Sequence, residues 1–311
     1  MPLDPTLKAL LDSLQSQAMP PMWQMEPAMA RVAFTAMMQV VGPRDEPIGR
    51  TEDVAICDGQ VMLRVYTPVA AGGGALPALL FFHGGGYVIG DLDSHDGLCR
   101  ILANEAGVRV VAVNYRLAPE HKFPAAVNDA LAALSYVQDH AVRLGIDPNR
   151  LAVGGDSAGG GLAAVLAQHA PQIGARLRLQ MLLFPVTQIG EDTPSLTTFA
   201  EGYFLEREAL RWFYGHYLPA HTDRADPKIS PLKAKDVSQV APAFVMLAGF
   251  DPLHDEGLLY AERLRQAGVP VTVRDYPDMV HDFIYMVSAL PSARPALKVA
   301  SDALKTALNP V

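Results

Sequence analysis

RLAVGGDSAGGGLAAVLAQHA, residues 150–170, joins a short apolar run to a helix-like one through a turn crowded with glycine. The run RLAVG reads as a buried strand because it is short, apolar and closed by a glycine-rich break. Gly155, Ser157 and Gly159 match the pattern G-x-S-x-G, and LAAVLAQHA supplies the helix that should follow. In that setting the serine backbone is strained, its neighbours must lack bulk, and its hydroxyl stands at a helix N-terminus. Gly159, Gly160 and Gly161 open the helix although glycine costs about 0.8–1 kcal/mol there relative to alanine. Close approach of another segment would explain them. An alternative makes Ser157 an N-cap in a phosphate-cradling turn, but G-x-x-x-x-G-K-[ST] is absent and no lysine follows the glycines.

A serine hydroxyl becomes a useful nucleophile only when a base takes its proton and a third group orients that base. On an α/β sheet the partners are expected in the order Ser, Asp or Glu, His, each in a loop after a later strand. Asp251 follows APAFVMLAGF, in DPLHDEG, and His281 follows VTVRDYP, in MVHDF. Asp255 suits the first turn of the next helix, Asp278 reads as turn material, and His254 as a solvent-facing neighbour. Upstream, the apolar run ALPALLFF ends in His83 and three glycines, FFHGGGYVIGD, residues 81–91. Bare backbone lets N–H groups turn toward a substrate oxygen, so Gly85, Gly86 and Ala158 are the expected oxyanion donors. His83 is expected to brace the glycine loop by hydrogen bonds.

The 311 residues are half hydrophobic, ample for one large α/β domain with an accessory piece. A formal charge of -8 excludes the basic face that nucleic acid requires. Cys57 and Cys99 are too few for a disulfide framework and lack zinc-type spacing, so no metal is expected. The N-terminus MPLDPTLKALLDSL reads as an amphipathic helix without a leader pattern, and no apolar run reaches the ~18 residues of a membrane span. A soluble cytoplasmic protein is the expectation.

From about residue 52, strands VMLRVYTP, PALLFFHG, VRVVAVNYR, RLAVGGD, LQMLLFP, APAFVMLAG and VTVRDYP alternate with helical stretches near 96–106, 124–144, 157–170 and 255–267. That rhythm predicts a mostly parallel sheet covered on both faces. Residues 1–50, helical and methionine-rich, and 188–232, a strandless insertion, stand outside it. They divide the chain into N-terminal cap helices (1–50), a first core part (51–187), a cap insertion (188–232) and a second core part (233–311). Tyr87, Tyr203, Phe204, Leu205, Trp212 and Phe213 are pocket or lid residues on this reading, or plain cap core on the other.

HGGGY, NYRLAPEHKFPAA, GDSAGG, DPLHDEG and the final HDF, in this order, resemble the hormone-sensitive-lipase family of α/β-hydrolase carboxylesterases, the GDSAG group. The resemblance spans nearly the whole chain. It implies the α/β-hydrolase fold with a helical cap and hydrolysis of short- to medium-chain esters through Ser157, Asp251 and His281. It further implies a small-molecule ester as partner, no cofactor and, in many members, a homodimer. Arg116 and Glu120, in the second motif, are expected to form an internal ion pair. Two positions depart from the family pattern: Asp282 replaces the glycine after the histidine, and Gly161 replaces an asparagine after GDSAGG. The Asp282 carboxylate is expected to raise the pKa of His281. A non-catalytic small-molecule receptor on the same fold is the rival class, and a nucleotide-binding domain lacks its glycine fingerprint.

Overall fold

The apolar runs of the sequence become the centre of one eight-stranded sheet. The computed structural model describes residues 2–16 and 20–309; residues 1, 17–19, 310 and 311, which fall in the first and last expected segments, lie outside the described residues. In chain order the strands are β1 (Arg50–Ile56), β2 (Val61–Thr67), β3 (Leu76–Phe82), β4 (Arg109–Asn114), β5 (Ile146–Asp156), β6 (Leu177–Leu183), β7 (Ala243–Phe250) and β8 (Val271–Val280). They lie side by side as β1-β2-β4-β3-β5-β6-β7-β8. β2 is antiparallel to both neighbours, and β3 to β8 pair in parallel.

Parallel neighbours cannot be joined by tight hairpins, so each connection crosses over the sheet. The helices are α1 (Pro5–Ser16), α2 (Pro27–Val41), α3 (Asp96–Ala106), α4 (Ala125–Asp139), α5 (Ala158–His169), α6 (Pro194–Thr198), α7 (Arg207–Tyr217), α8 (His254–Gln266) and α9 (Ala293–Leu308). α9 packs with α3 and touches β5, β6 and β7, whereas α5 packs with α4 and covers β3, β5 and β6. Covered in this way, Pro77 to Phe82 of β3 are buried without alternation.

Two elements exceed the sequence reading. β1, RTEDVAI, is an edge strand whose first four residues are exposed, and only Val54 and Ile56 turn inward. Its polar sequence carries little strand signal. α9, an amphipathic helix that the sequence reading did not single out, buries the stripe Ala293, Ala296, Leu297, Ala300 and Leu304. α4 stops at Asp139 rather than near 144, and β8 runs on to Val280, delivering the chain directly to His281.

The expected Arg116–Glu120 pair does not form. Arg116 binds Asp129 at 2.6 Å, while Glu120 is taken by Arg31 of α2, also at 2.6 Å. Arg31 also donates to the carbonyl oxygens of Val88 and Ala118. It therefore ties the N-terminal helical segment to the loop that follows β3.

Candidate active site

At the end of β5 the backbone reverses through Ser157, whose φ of +53° and ψ of -119° lie outside the regions L-residues favour. Such a turn brings α5 against the end of β3. A Cβ added at Gly159 would fall on the Phe82 carbonyl oxygen, so glycine is required by contact. At Gly161 a Cβ would lie 2.6 Å from the Val186 carbonyl oxygen and 2.8 Å from the Tyr87 hydroxyl. The Val186 backbone and the Tyr87 hydroxyl thus leave no room for an asparagine side chain at 161.

The two loops expected to supply partners converge on this serine. His281 Nε2 lies 3.0 Å from Ser157 Oγ, and His281 Nδ1 lies 2.7 Å from Asp251 Oδ2. Asp251 Oδ1 accepts the backbone N–H of Leu253 at 2.8 Å, which fixes the carboxylate plane. All three side chains are buried, and Phe184 stands edge-on to the imidazole. Asp255 lies in the first turn of α8, as expected, and accepts the N–H of Ser195 rather than joining His281. His254 is not solvent-facing as expected: it is half-buried and bridges Asp255 and Asp275.

Gly85 and Gly86 take φ values of +108° and +60°, and with Ser157 they line one cavity. Among the described residues no protein acceptor takes the N–H of Gly85, Gly86 or Ala158. Three donors near a buried serine are therefore available to an incoming oxygen. His83 supports their loop: its Nδ1 lies 2.8 Å from the Gly84 carbonyl oxygen and its ring stacks on Tyr115 at 4.3 Å. Burial, then the neighbouring His95, lowers the His83 pKa to about 4, so the ring is neutral and its Nδ1–H donates.

A model of the family with the alpha/beta hydrolase fold matches residues 79–285. The ethyl acetate hydrolase of Pseudomonas putida is 42% identical over 98% of this chain and 99% of its own length. The chain belongs to the hormone-sensitive-lipase-like carboxylesterases of the α/β-hydrolase superfamily. Carboxylesterase NlhH of Mycobacterium tuberculosis is 38% identical over 99% of this chain and 97% of that protein. The hyperthermophilic esterase of the archaeon Pyrobaculum calidifontis superposes with a TM-score of 0.93 at 39% identity, covering 98% of this chain and 99% of that one.

In this carboxylesterase the cavity over Ser157 measures about 220 Å³. Phe204, Leu205 and Phe213 line it as the sequence suggested. Tyr87, Tyr203 and Trp212 do not: Tyr87 stacks on Tyr217 at 3.9 Å, Tyr203 packs on Phe250, and Trp212 stands edge-on to Phe213 and His216. Ile89, Val186, Asp282 and Ala209, Leu210 and Tyr214 of α7 add to the wall, together with Met22, Trp23, Phe34 and Met37. These last four were visible only as a methionine-rich N-terminal stretch. No helix among the described residues is long and apolar enough to cross a membrane.

Asp282 is the departure with chemical consequence. Its φ of +55° is left-handed, a conformation aspartate tolerates, so the loop keeps its course. The carboxylate Oδ2 lies 3.4 Å from His281 Nε2, on the side that faces Ser157. Burial alone would lower the His281 pKa, but Asp251 and then Asp282 outweigh it and raise the value to about 9. Burial in turn raises the Asp282 carboxyl to about 7.

Proposed function

We propose that the chain hydrolyses short- to medium-chain acyl esters by two-step acyl transfer, with Ser157 as nucleophile, His281 as base and Asp251 as its orienting partner. The continuous hydrogen-bonded path Ser157–His281–Asp251, 3.0 Å and 2.7 Å, carries this reading. Ser157 Oγ attacks the ester carbonyl while its proton passes to His281 Nε2. The N–H groups of Gly85, Gly86 and Ala158 hold the resulting oxyanion, in the role that usually contributes most to such catalysis. Collapse breaks the bond to the alcohol, which leaves with the proton from His281. Water then gives its proton to the same nitrogen, attacks the acyl-serine, and releases the acid and free Ser157. Asp251 holds the imidazole tautomer and stabilises its cation throughout.

Residues 1–50 and 188–232 serve as the cap, and their contact through Met22–Gln24 and α7 supports that division. A cavity of about 220 Å³ is below the ~300–1,000 Å³ typical of sites for drug-sized ligands, which favours small acyl groups. The kinship with an ethyl acetate hydrolase points the same way. Across p-nitrophenyl esters from acetyl to palmitoyl, kcat/KM is expected to peak at butyryl or below and to fall steeply beyond octanoyl. A maximum at palmitoyl would contradict the size argument.

The raised His281 pKa sets the pH dependence. The base works when neutral, so kcat/KM is expected to climb roughly tenfold per unit from pH 7 and to level near pH 9. Asp282→Asn removes the negative charge beside Nε2, so the rise should move to lower pH, toward the ordinary 6.5. Profiles that coincide for the two proteins would show that Asp282 does not act on His281.

A further inference from the structure

α7 has cavities on two sides. Ala209 and Phe213 face the one over Ser157, while Arg207 and Arg211 face a second, of about 410 Å³. Leu210 and Tyr214 line both and form the partition between them. The smaller, apolar cavity thus adjoins a larger one with charged walls.

Two of the three arginines on its wall have no carboxylate partner among the described residues. Arg211 is paired with Glu208, and Glu191 with Lys233, each at 2.5 Å. Arg207 forms no ion pair among the described residues, and its Nε is buried without a hydrogen-bond partner. Arg224, exposed at the rim, extends its guanidinium over Gly190, where Nη1 would lie 2.7 Å from an added Cβ, and it too has no carboxylate partner among the described residues. The acidic groups left are Asp192, exposed at the rim, and Glu256. Glu256 is buried, and Oε1 accepts the N–H groups of Thr187 and Gln188. Burial raises its pKa to about 8, so at neutral pH it is mostly uncharged. Arg207 and Arg224 both line the cavity, and a carboxylate is the group whose paired oxygens best match a guanidinium.

The geometry points to this second cavity as a binding site for an organic carboxylate of a few carbons, held by Arg207 and Arg224 beside the ester site. It rests on the carboxylesterase reading only for its link to catalysis. The carboxylate can belong to the far end of an ester whose scissile bond is at Ser157, reached past Leu210 and Tyr214, or to a free acid such as the hydrolysis product. A free acid would still be felt at the nucleophile, because Val186 N donates to the Ser157 carbonyl and the next residues hang on Glu256.

The test compares wild type with Arg207→Gln and, independently, Arg224→Gln. Hydrolysis of p-nitrophenyl butyrate and of mono-p-nitrophenyl glutarate is measured, together with calorimetric binding of free glutarate. For an ester's own carboxylate, kcat/KM on the glutarate half ester should fall roughly 10- to 100-fold in either variant, with butyrate within about 2-fold. For a free acid, glutarate should bind wild type and bind the variants about 10-fold or more weakly, while both esters respond alike to the substitutions. Glutarate binding and half-ester kinetics that are both indifferent to Arg207 and Arg224 overturn the proposal, with butyrate hydrolysis intact. Wild type inactive on butyrate would instead overturn the esterase chemistry, and calorimetry would still decide the site.

Discussion

Ser157→Ala is expected to lower kcat on p-nitrophenyl butyrate by roughly 10⁵- to 10⁶-fold, the scale seen when a triad nucleophile is removed. No other hydroxyl can take over, because His281 Nε2 makes its serine contact only with Ser157. The residual rate should still exceed that in water by about 10³-fold, since the glycine donors and the pocket remain. The fold should persist. Ser157 Oγ makes its one hydrogen bond to His281, and removing it leaves no buried backbone group unpaired. Ser157→Ala should also relieve nothing at φ +53°, because alanine shares the strain of the turn. Far-ultraviolet circular dichroism and the urea midpoint check this against the loss of rate. A variant that folds and keeps more than about 1% of activity would remove Ser157 from the nucleophile's role.

Gly159→Ala is the change expected to damage stability most. The new Cβ would be forced onto the Phe82 and His83 carbonyl oxygens, which belong to backbone and cannot swing aside. Accommodation requires α5 to lift from the end of β3, at the junction that sets both Ser157 and the Gly85–Gly86 loop. Overpacking of a tight core commonly costs about 1–3 kcal/mol, and a backbone collision should reach or exceed the upper end. On the proposed mechanism activity should fall with it, because Ser157 and the N–H groups of Gly85 and Gly86 shift apart. Gly215→Ala is the matched control. It lies in the body of α7 with open space around its Cβ, so alanine should stabilise by about 0.4–1 kcal/mol. Urea unfolding of both variants measures the contrast; equal midpoints would mean that the glycines after the serine are not fixed by packing.

The sheet was legible where burial is continuous. β3, β6, β7 and the second half of β5 are largely apolar runs that end close to glycine or proline, and such runs need no knowledge of neighbours to be read. The convergence of Ser157, Asp251 and His281 was equally legible, because a parallel sheet places the loops after its strands along one edge, and chain order then selects Asp251 and His281. β1 was not, since an exposed edge strand tolerates Arg50, Thr51, Glu52 and Asp53. Partners that meet only in three dimensions were also hidden. Arg31 lies 89 residues from Glu120, and nothing local distinguishes it from Arg116. The pocket lining depended on which face of α7 looks inward, a rotation that separates Phe213 from its neighbour Trp212.

Reaction with a p-nitrophenyl alkylphosphonate, which phosphonylates an activated serine and releases nitrophenolate, bears most directly on catalysis by Ser157. Nitrophenolate release is followed alongside intact-mass spectrometry and peptide mapping. One equivalent of nitrophenolate, loss of esterase activity, and a single adduct on the peptide containing Ser157 are the expected result. An adduct on another residue, or continued ester hydrolysis with Ser157 fully phosphonylated, would contradict acyl transfer through this serine.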